Sequence, residues 1–422
     1  MINMKRRTFL TALGAGFASG GVALADDQPK RKRLAVITTV WWKPSHAWHM
    51  AERFLWGYPD AGRWHRPPID VVSAYVAQYP ANDLSRNRAQ EAGFTIYPTI
   101  AKALRCGGDK LDVDAVLIIG EHGEYPTNDL GQKLYPRYEF FREVTKVFRQ
   151  DGRAVPVFND KHLSWKWAWA KEMVATSREL KFPFLAGSSL PVTWRMPAAD
   201  LPSGAPTEEI VCVAYGGKEI YGFHALETLQ CIAERRRGGE TGVRSVEALE
   251  GDAVWQALEC GSWQRGGWDP RLFEACLSRS QTLKQVGDFS HRYPTLAQMR
   301  QLAKNPLLYR VDYRDGLKAS VLLLNGLVGD FTVAARIKGH PDPFSTLFYL
   351  PPVPNVTYSA SLMSQAEKMF LTGKAPYPVE RTLLTSGTLE SCLKSLATGR
   401  KLPTPHLDVR YSAPVESTFA RF

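Results

Sequence analysis

What most constrains this chain is a series of apolar runs of strand length, each followed by a stretch that reads as helix. Arg33-Leu-Ala-Val-Ile-Thr-Thr39, Ile69-Asp-Val-Val-Ser-Ala-Tyr-Val-Ala77, Asp114-Ala-Val-Leu-Ile-Ile-Gly120 and Val155-Pro-Val-Phe-Asn-Asp160 have the length and apolar density of strands buried on both faces. Strands that alternate with helices wind into an open parallel sheet with helices on both sides. In such a sheet ligands bind at the carboxyl ends of the strands. The fourth run ends in Asp160-Lys-His162, so Lys161 is aimed at the place where chemistry is expected.

At 422 residues the chain exceeds the length at which one core usually suffices, so two domains are expected. Trp165 to Glu179 reads as the helix after the lysine strand and Phe182-Pro-Phe-Leu-Ala-Gly187 as a last short strand, giving an α/β unit over residues 33–191. The proline-rich stretch from Pro191 to Pro206 reads as a connector. Beyond Glu208, Ile210–Tyr215, Ser245–Leu249, Leu317–Leu324 and Phe331–Ile337 are strand-like, with helices between them. Asn325-Gly326 between the last two is a hairpin cue. Residues 192–422 are therefore expected to form an α+β domain on a largely antiparallel sheet, with its last helices free to pack back on the first domain.

A 44% apolar and 23% charged composition is that of a globular protein. Lys5-Arg-Arg-Thr-Phe-Leu10, a weakly apolar stretch and Ala23-Leu-Ala25 have the form of a twin-arginine export signal cleaved after Ala25. The expectation is a periplasmic or other extracytoplasmic protein, because the apolar run is well short of the roughly 20 residues a spanning helix needs. Cleavage would remove Lys5, Arg6 and Arg7, and the net charge would fall from +11 to about +8. Basic residues are scattered apart from Lys30–Arg33 and Arg235–Arg237, which reads as a solvated basic surface rather than a nucleic-acid interface. Six cysteines without a C-x-x-C pair argue against a metal finger and leave disulfide pairing open.

Asp114-Ala-Val, Gly120-Glu-His-Gly-Glu-Tyr125, Val157-Phe-Asn-Asp-Lys-His162, Gly222-Phe-His224 and the C-terminal Phe370–Val379 and Leu389–Arg400 segments together resemble the Gfo/Idh/MocA oxidoreductases. The resemblance covers most of the chain and implies a Rossmann-like sheet, NAD or NADP as cofactor, a sugar or polyol substrate and a homo-oligomer. It implies that Lys161 contacts cofactor and substrate hydroxyl and that His224 is the acid/base, with Glu227 at i+3 on the same helix face to orient the imidazole. Thr38, Thr39, Trp41, Glu121, His122, Tyr125 and Asp160 stand at the cofactor-binding positions. His162 replaces the family's proline, and Ile220 stands where its catalytic aspartate is usual; the adjacent Glu219 is expected to point elsewhere.

The first loop departs further. In place of G-x-G-x-x-G it reads Thr38-Thr-Val-Trp-Trp-Lys-Pro-Ser-His-Ala-Trp-His49, which lacks the glycines that let backbone amides reach a pyrophosphate. Glu121 and Glu124 would repel one. A second reading follows from the same residues: His46, His49, Glu121, His122, Glu124, Asp160 and His162 lie on loops at the strand ends and offer the ligand set of zinc, manganese or iron. A divalent metal would then replace the nucleotide in elimination or hydrolysis of a sugar. A third reading is a non-catalytic glycan-binding protein. Trp41 and Trp42 are expected to line the cleft and stack on sugar rings, whereas Trp165, Trp167 and Trp169 are expected to pack their helix.

Overall fold

The computed structural model describes residues 30–289, 292–351 and 354–421; residues 1–25, expected from the sequence to be an export signal, lie outside them. Strands β1 (Lys32–Thr38), β4 (Ile69–Val76), β6 (Ala115–Ile119), β7 (Val157–Asp160) and β8 (Phe184–Gly187) form where the apolar runs predict them. With the two-residue β5 (Thr95–Ile96) they build a six-stranded parallel sheet in the order β5-β4-β1-β6-β7-β8. β1 pairs on one side with β4 and on the other with β6, so the chain's winding reverses there and its carboxyl edge opens a crevice. Ala115–Ile119 and Val157–Asp160 are buried throughout, as a layer covered on both faces requires. The covering helices of this half are α1 (Glu52–Trp56), α2 (Ser85–Ala92), α3 (Ile100–Leu104), α4 (Arg137–Asp151) and α5 (Trp167–Glu179). A five-residue π-turn, Ala47–Ala51, precedes α1, and a hairpin of β2 (Tyr58–Asp60) and β3 (Arg63–His65) follows it.

The second half is an eight-stranded sheet in the order β16-β11-β12-β13-β10-β14-β15-β9. Its strands are β9 (Trp194–Met196), β10 (Thr207–Ala214), β11 (Val243–Glu250), β12 (Leu307–Tyr313), β13 (Lys318–Leu323), β14 (Phe331–Ile337), β15 (Phe344–Tyr349) and β16 (Leu402–Pro403). Only β10 and β13 pair parallel, so the sheet is largely antiparallel. Its helices are α6 (Ile220–Ala233), α7 (Asp252–Cys260), α8 (Pro270–Arg279) and α9 (Leu296–Leu302), followed by α10 (Tyr358–Thr372) and α11 (Glu380–Thr398). α10 packs on the π-turn, and α11 lies against α6, α5 and β8. Lys32–Phe422 is one compact unit, and a single apolar cluster runs from Ile37 and Val157 through Phe223 to Val321 and Phe331.

Three sequence expectations are corrected. β13 and β14 do not form a hairpin, because β10 lies between them, with Val213 opposite Leu322 on one side and Thr332 on the other. Asn325 instead bonds the Gly216 backbone, and at Gly326 (φ +91°) a Cβ would stand 2.4 Å from the Leu302 carbonyl. The connector contains β9, an edge strand that pairs with β15 and stops at Pro197, where an edge tolerates proline. Arg235 and Arg236 are buried in ion pairs with Asp200, Glu240 and Asp315 rather than solvated. Among the described residues all six cysteines are unpaired, and no helix is long and apolar enough to cross a membrane.

Candidate functional site

The site begins where β7 ends. Lys161 has φ +64°, a left-handed conformation for a non-glycine residue that costs about 1–3 kcal/mol and is held here by its amide donating to the Gly187 carbonyl. The turn aims the side chain so that Nζ donates to His224 Nε2 at 2.6 Å, with Glu121 Oε1 3.4 Å away. His224 comes from α6, in the second half of the chain. Its Nδ1 meets Ser188 Oγ at 2.5 Å, and the Ser188 amide donates to Glu227 Oε2 at 3.3 Å. Glu227 is buried and also accepts from Thr385. It reaches the imidazole through Ser188 rather than directly. Burial, then the Lys161 charge, pushes His224 well below its ordinary range, so the imidazole is neutral and accepts from the ammonium.

Beside this pair lies a cluster of imidazoles and carboxylates. His46, just before the π-turn, places Nδ1 2.6 Å from Asp160 Oδ2, and its ring lies 4.7 Å from His49 and 4.9 Å from His122. Arg137, fully buried at the start of α4, donates to Glu121 Oε2 at 2.5 Å and to the Asp160 carbonyl at 3.1 Å. Burial would raise Glu121, yet Lys161, His46 and Arg137 hold it well below the usual carboxylate range. Asp160 is driven the other way, to about 7, by burial and by the Glu121 charge. Burial and nearby cations keep His46, His49 and His162 neutral. Glu219, expected to point elsewhere, is buried with its carboxylate 3.4 Å from His162, and burial lifts it to about 7.

A cavity of about 650 Å³ opens over these groups. His46, Glu121, His122, Asp160, Lys161 and His224 line its polar side, and Tyr215, Tyr221, Phe331, Tyr349 and Tyr358 its aromatic side. The sequence reading missed Arg137, Ser188 and all of this aromatic wall. Thr38, Thr39, Trp41 and Tyr125 do not line the cavity. The Thr38 and Thr39 hydroxyls donate to the Val40 and Glu121 carbonyls, and Tyr125 packs edge-on against Tyr135. Trp41, expected in the cleft, is fully buried and stacked on Phe94, because the loop folds down over the sheet edge. Trp42 stays near, its ring edge-on to His122 at 5.5 Å. Trp169 stacks on Tyr138 and Trp167 packs against His406, both serving their helix. Glu124 is exposed, and His162 faces Arg137 and Glu219 instead of the cavity.

The crevice at β1 does not fit a dinucleotide held by backbone amides. Gln78, after β4, exchanges two hydrogen bonds with the Glu124 backbone, at 3.0 and 2.9 Å, and so bridges the β4 and β6 loops across the end of β1. The Leu84 amide donates to the Trp41 carbonyl at 2.7 Å and closes the loop from the other side. Ser45 Oγ takes the Trp42 amide at 3.0 Å and the Trp48 amide at 3.4 Å. The Trp42, Trp48 and Leu84 amides are thus engaged within the protein rather than free to hold a pyrophosphate.

No protein-family model matches the sequence, and no curated protein matches it. Solved structures do. GenD2 from gentamicin A biosynthesis, in complex with NAD, is 13% identical with a TM-score of 0.55, over 92% of this chain and 99% of that one. A probable dehydrogenase from Thermotoga maritima is 12% identical (TM-score 0.53; 89% and 99% covered), and myo-inositol 2-dehydrogenase from Lactobacillus plantarum 11% (0.51; 89% and 99%). These structural neighbours are Gfo/Idh/MocA-type dehydrogenases, and the chain shares their fold over 89–92% of its length.

Proposed function

We propose that this chain is an enzyme that acts on a polyhydroxylated small molecule, a sugar or polyol, with Lys161 and His224 handling a hydroxyl proton. The observation that carries the reading is the 2.6 Å contact between Lys161 Nζ and a neutral His224, both facing the cavity. A buried ammonium is a proton donor and electrostatic anchor for a substrate oxygen, and the adjacent imidazole accepts or returns the proton. Ser188 holds the imidazole tautomer, and Glu227 holds Ser188. The aromatic wall offers apolar faces for the C–H face of a sugar ring. The likeness to inositol and sugar-type dehydrogenases supports the substrate class.

Hydride transfer with NAD or NADP is the second reading, favoured by the shared fold with a protein solved in complex with NAD. The closed β1 crevice weighs against it. Export by the twin-arginine route belongs to the proposal and is checked by fractionating the host cell.

The deciding experiment is mass spectrometry and absorbance of small molecules released on denaturing the protein, followed by turnover assays on a sugar and polyol panel. The proposal expects turnover that Lys161→Met abolishes and no stoichiometric nucleotide. Near-stoichiometric NAD or NADP would establish the second reading. Sugar affinity that is unchanged in Lys161→Met, with no turnover by either protein, would overturn catalysis in favour of glycan binding.

A further inference from the structure

We infer that His46, Glu121 and Asp160 are the protein ligands of a divalent transition-metal ion at the carboxyl edge of the six-stranded sheet, beside the Lys161–His224 pair. What the ion would do, polarise a substrate oxygen, rests on the proposed function; that it binds does not.

One ligand atom from each of the three residues lies within 4.8 Å of the others. They come from three separate segments, the loop after β1, the loop after β6 and the end of β7, so only the folded sheet brings them together. One imidazole with two carboxylates is a set that zinc, manganese and ferrous ions accept.

An independent observation is what the cluster leaves unpaired. Asp160 is 1% exposed and its Oδ1 has no hydrogen-bond partner. His49, 4% exposed and in ring contact with His46, leaves Nδ1 unpaired, and His122 leaves Nε2 unpaired. Buried polar atoms are ordinarily bonded, and orphans on three side chains that all touch His46 mark a missing partner. A carboxylate oxygen can be satisfied only by a donor or a cation, and among the described residues no donor reaches Asp160 Oδ1.

The surroundings are those of a supported metal site. Arg137 fixes Glu121 through Oε2 and leaves Oε1 on the side of Lys161. His122 (φ +69°) and Lys161 (φ +64°) hold left-handed backbone immediately after Glu121 and Asp160, which is strain spent on aiming those side chains. Arg137 and Lys161 already oppose the two carboxylates, so the ion enters a site of near-neutral net charge. Lys161 competes with it for Glu121, and removing that ammonium should tighten metal binding.

The test uses the full signal-processed chain, purified without chelator, analysed for metal by plasma mass spectrometry, then stripped and titrated calorimetrically with zinc and manganese chloride. The expected result is one saturable equivalent per chain. Losing a supporting residue typically weakens metal affinity 10–100-fold, so His46→Gln or Asp160→Asn should weaken it by about 100-fold or more. Circular dichroism checks that each variant is folded. Lys161→Met should keep or tighten the metal while losing turnover. Wild-type protein that is folded yet takes up neither metal overturns the site, as does affinity that both ligand variants leave unchanged. Turnover by a protein that binds no metal would overturn the metal site and leave the acid/base reading standing; metal uptake without turnover on the panel would do the reverse.

Discussion

The two halves of the six-stranded sheet's carboxyl edge are finished in different ways. Over β6, β7 and β8 the edge is polar, strained and open: Lys161 and His122 hold left-handed backbone, buried oxygens and nitrogens lack partners, and a cavity stands above them. Over β4 and β1 the edge is filled by Trp41, bridged by Gln78 and laced by backbone hydrogen bonds. Stored strain and unpaired polar groups are characteristic of sites, and satisfied packing is characteristic of scaffold. GenD2, of the same fold, was solved in complex with NAD, whereas here most chemistry-bearing residues stand over β6, β7 and β8, joined from the loop after β1 only by His46 and His49.

The sharpest break would come from Lys161. General acid–base groups contribute about 10²–10⁴-fold, so Lys161→Met should lower kcat on any substrate that the panel identifies by that factor while the protein stays folded. Steady-state kinetics with a circular dichroism control measures it. Retained kcat would show that the open half is scaffold too. On the closed half the largest effect is on stability: Trp41 is fully buried and stacked on Phe94, so Trp41→Ala should cost about 3–5 kcal/mol in urea unfolding. A loss below about 1 kcal/mol would mean that the loop is a lid rather than a plug.

The first sheet was legible because buried parallel strands write themselves as unbroken apolar runs, and Lys161 was legible because it ends one of them. Ser188 stands at the corresponding place after β8, and the same rule of strand ends would have found it. Arg137 leaves no such sign, since on its own helix it looks like any first-turn arginine; only the fold brings it 2.5 Å from Glu121. Trp41 misled because an aromatic in a loop at a strand end reads equally well as a stacking platform or as a plug. The failed Asn325-Gly326 hairpin shows the limit of local cues, because whether a third strand enters between two neighbours in sequence is decided by tertiary pairing.

A pH-dependent comparison refines the contrast. Burial raises Glu219 from 4.5 to about 7, so ionising it is harder in the folded chain than in the unfolded one. Its contribution to stability is intact below pH 4.5 and is lost as the pH rises through 7. Glu219→Gln should therefore unfold nearly like the parent at pH 4 and be more stable at pH 8 by up to roughly 3 kcal/mol. Chemical unfolding at the two pH values measures this difference. An equal gain at both would show that the carboxyl is not held in its protonated form by the site.

The smallest effect discriminates most. Gln78 is partly exposed, and its two bonds to the Glu124 backbone contribute on the order of 1 kcal/mol each, so Gln78→Ala should lower stability slightly and leave turnover and metal content unchanged. The measurement that matters is nucleotide titration of this variant. If the crevice is sealed by Trp41, Leu84 and Ser45 together, removing one bridge leaves it sealed and NAD and NADP still fail to bind. If Gln78→Ala gains saturable nucleotide affinity, the closed half is a site gated by one side chain, and hydride transfer regains the lead.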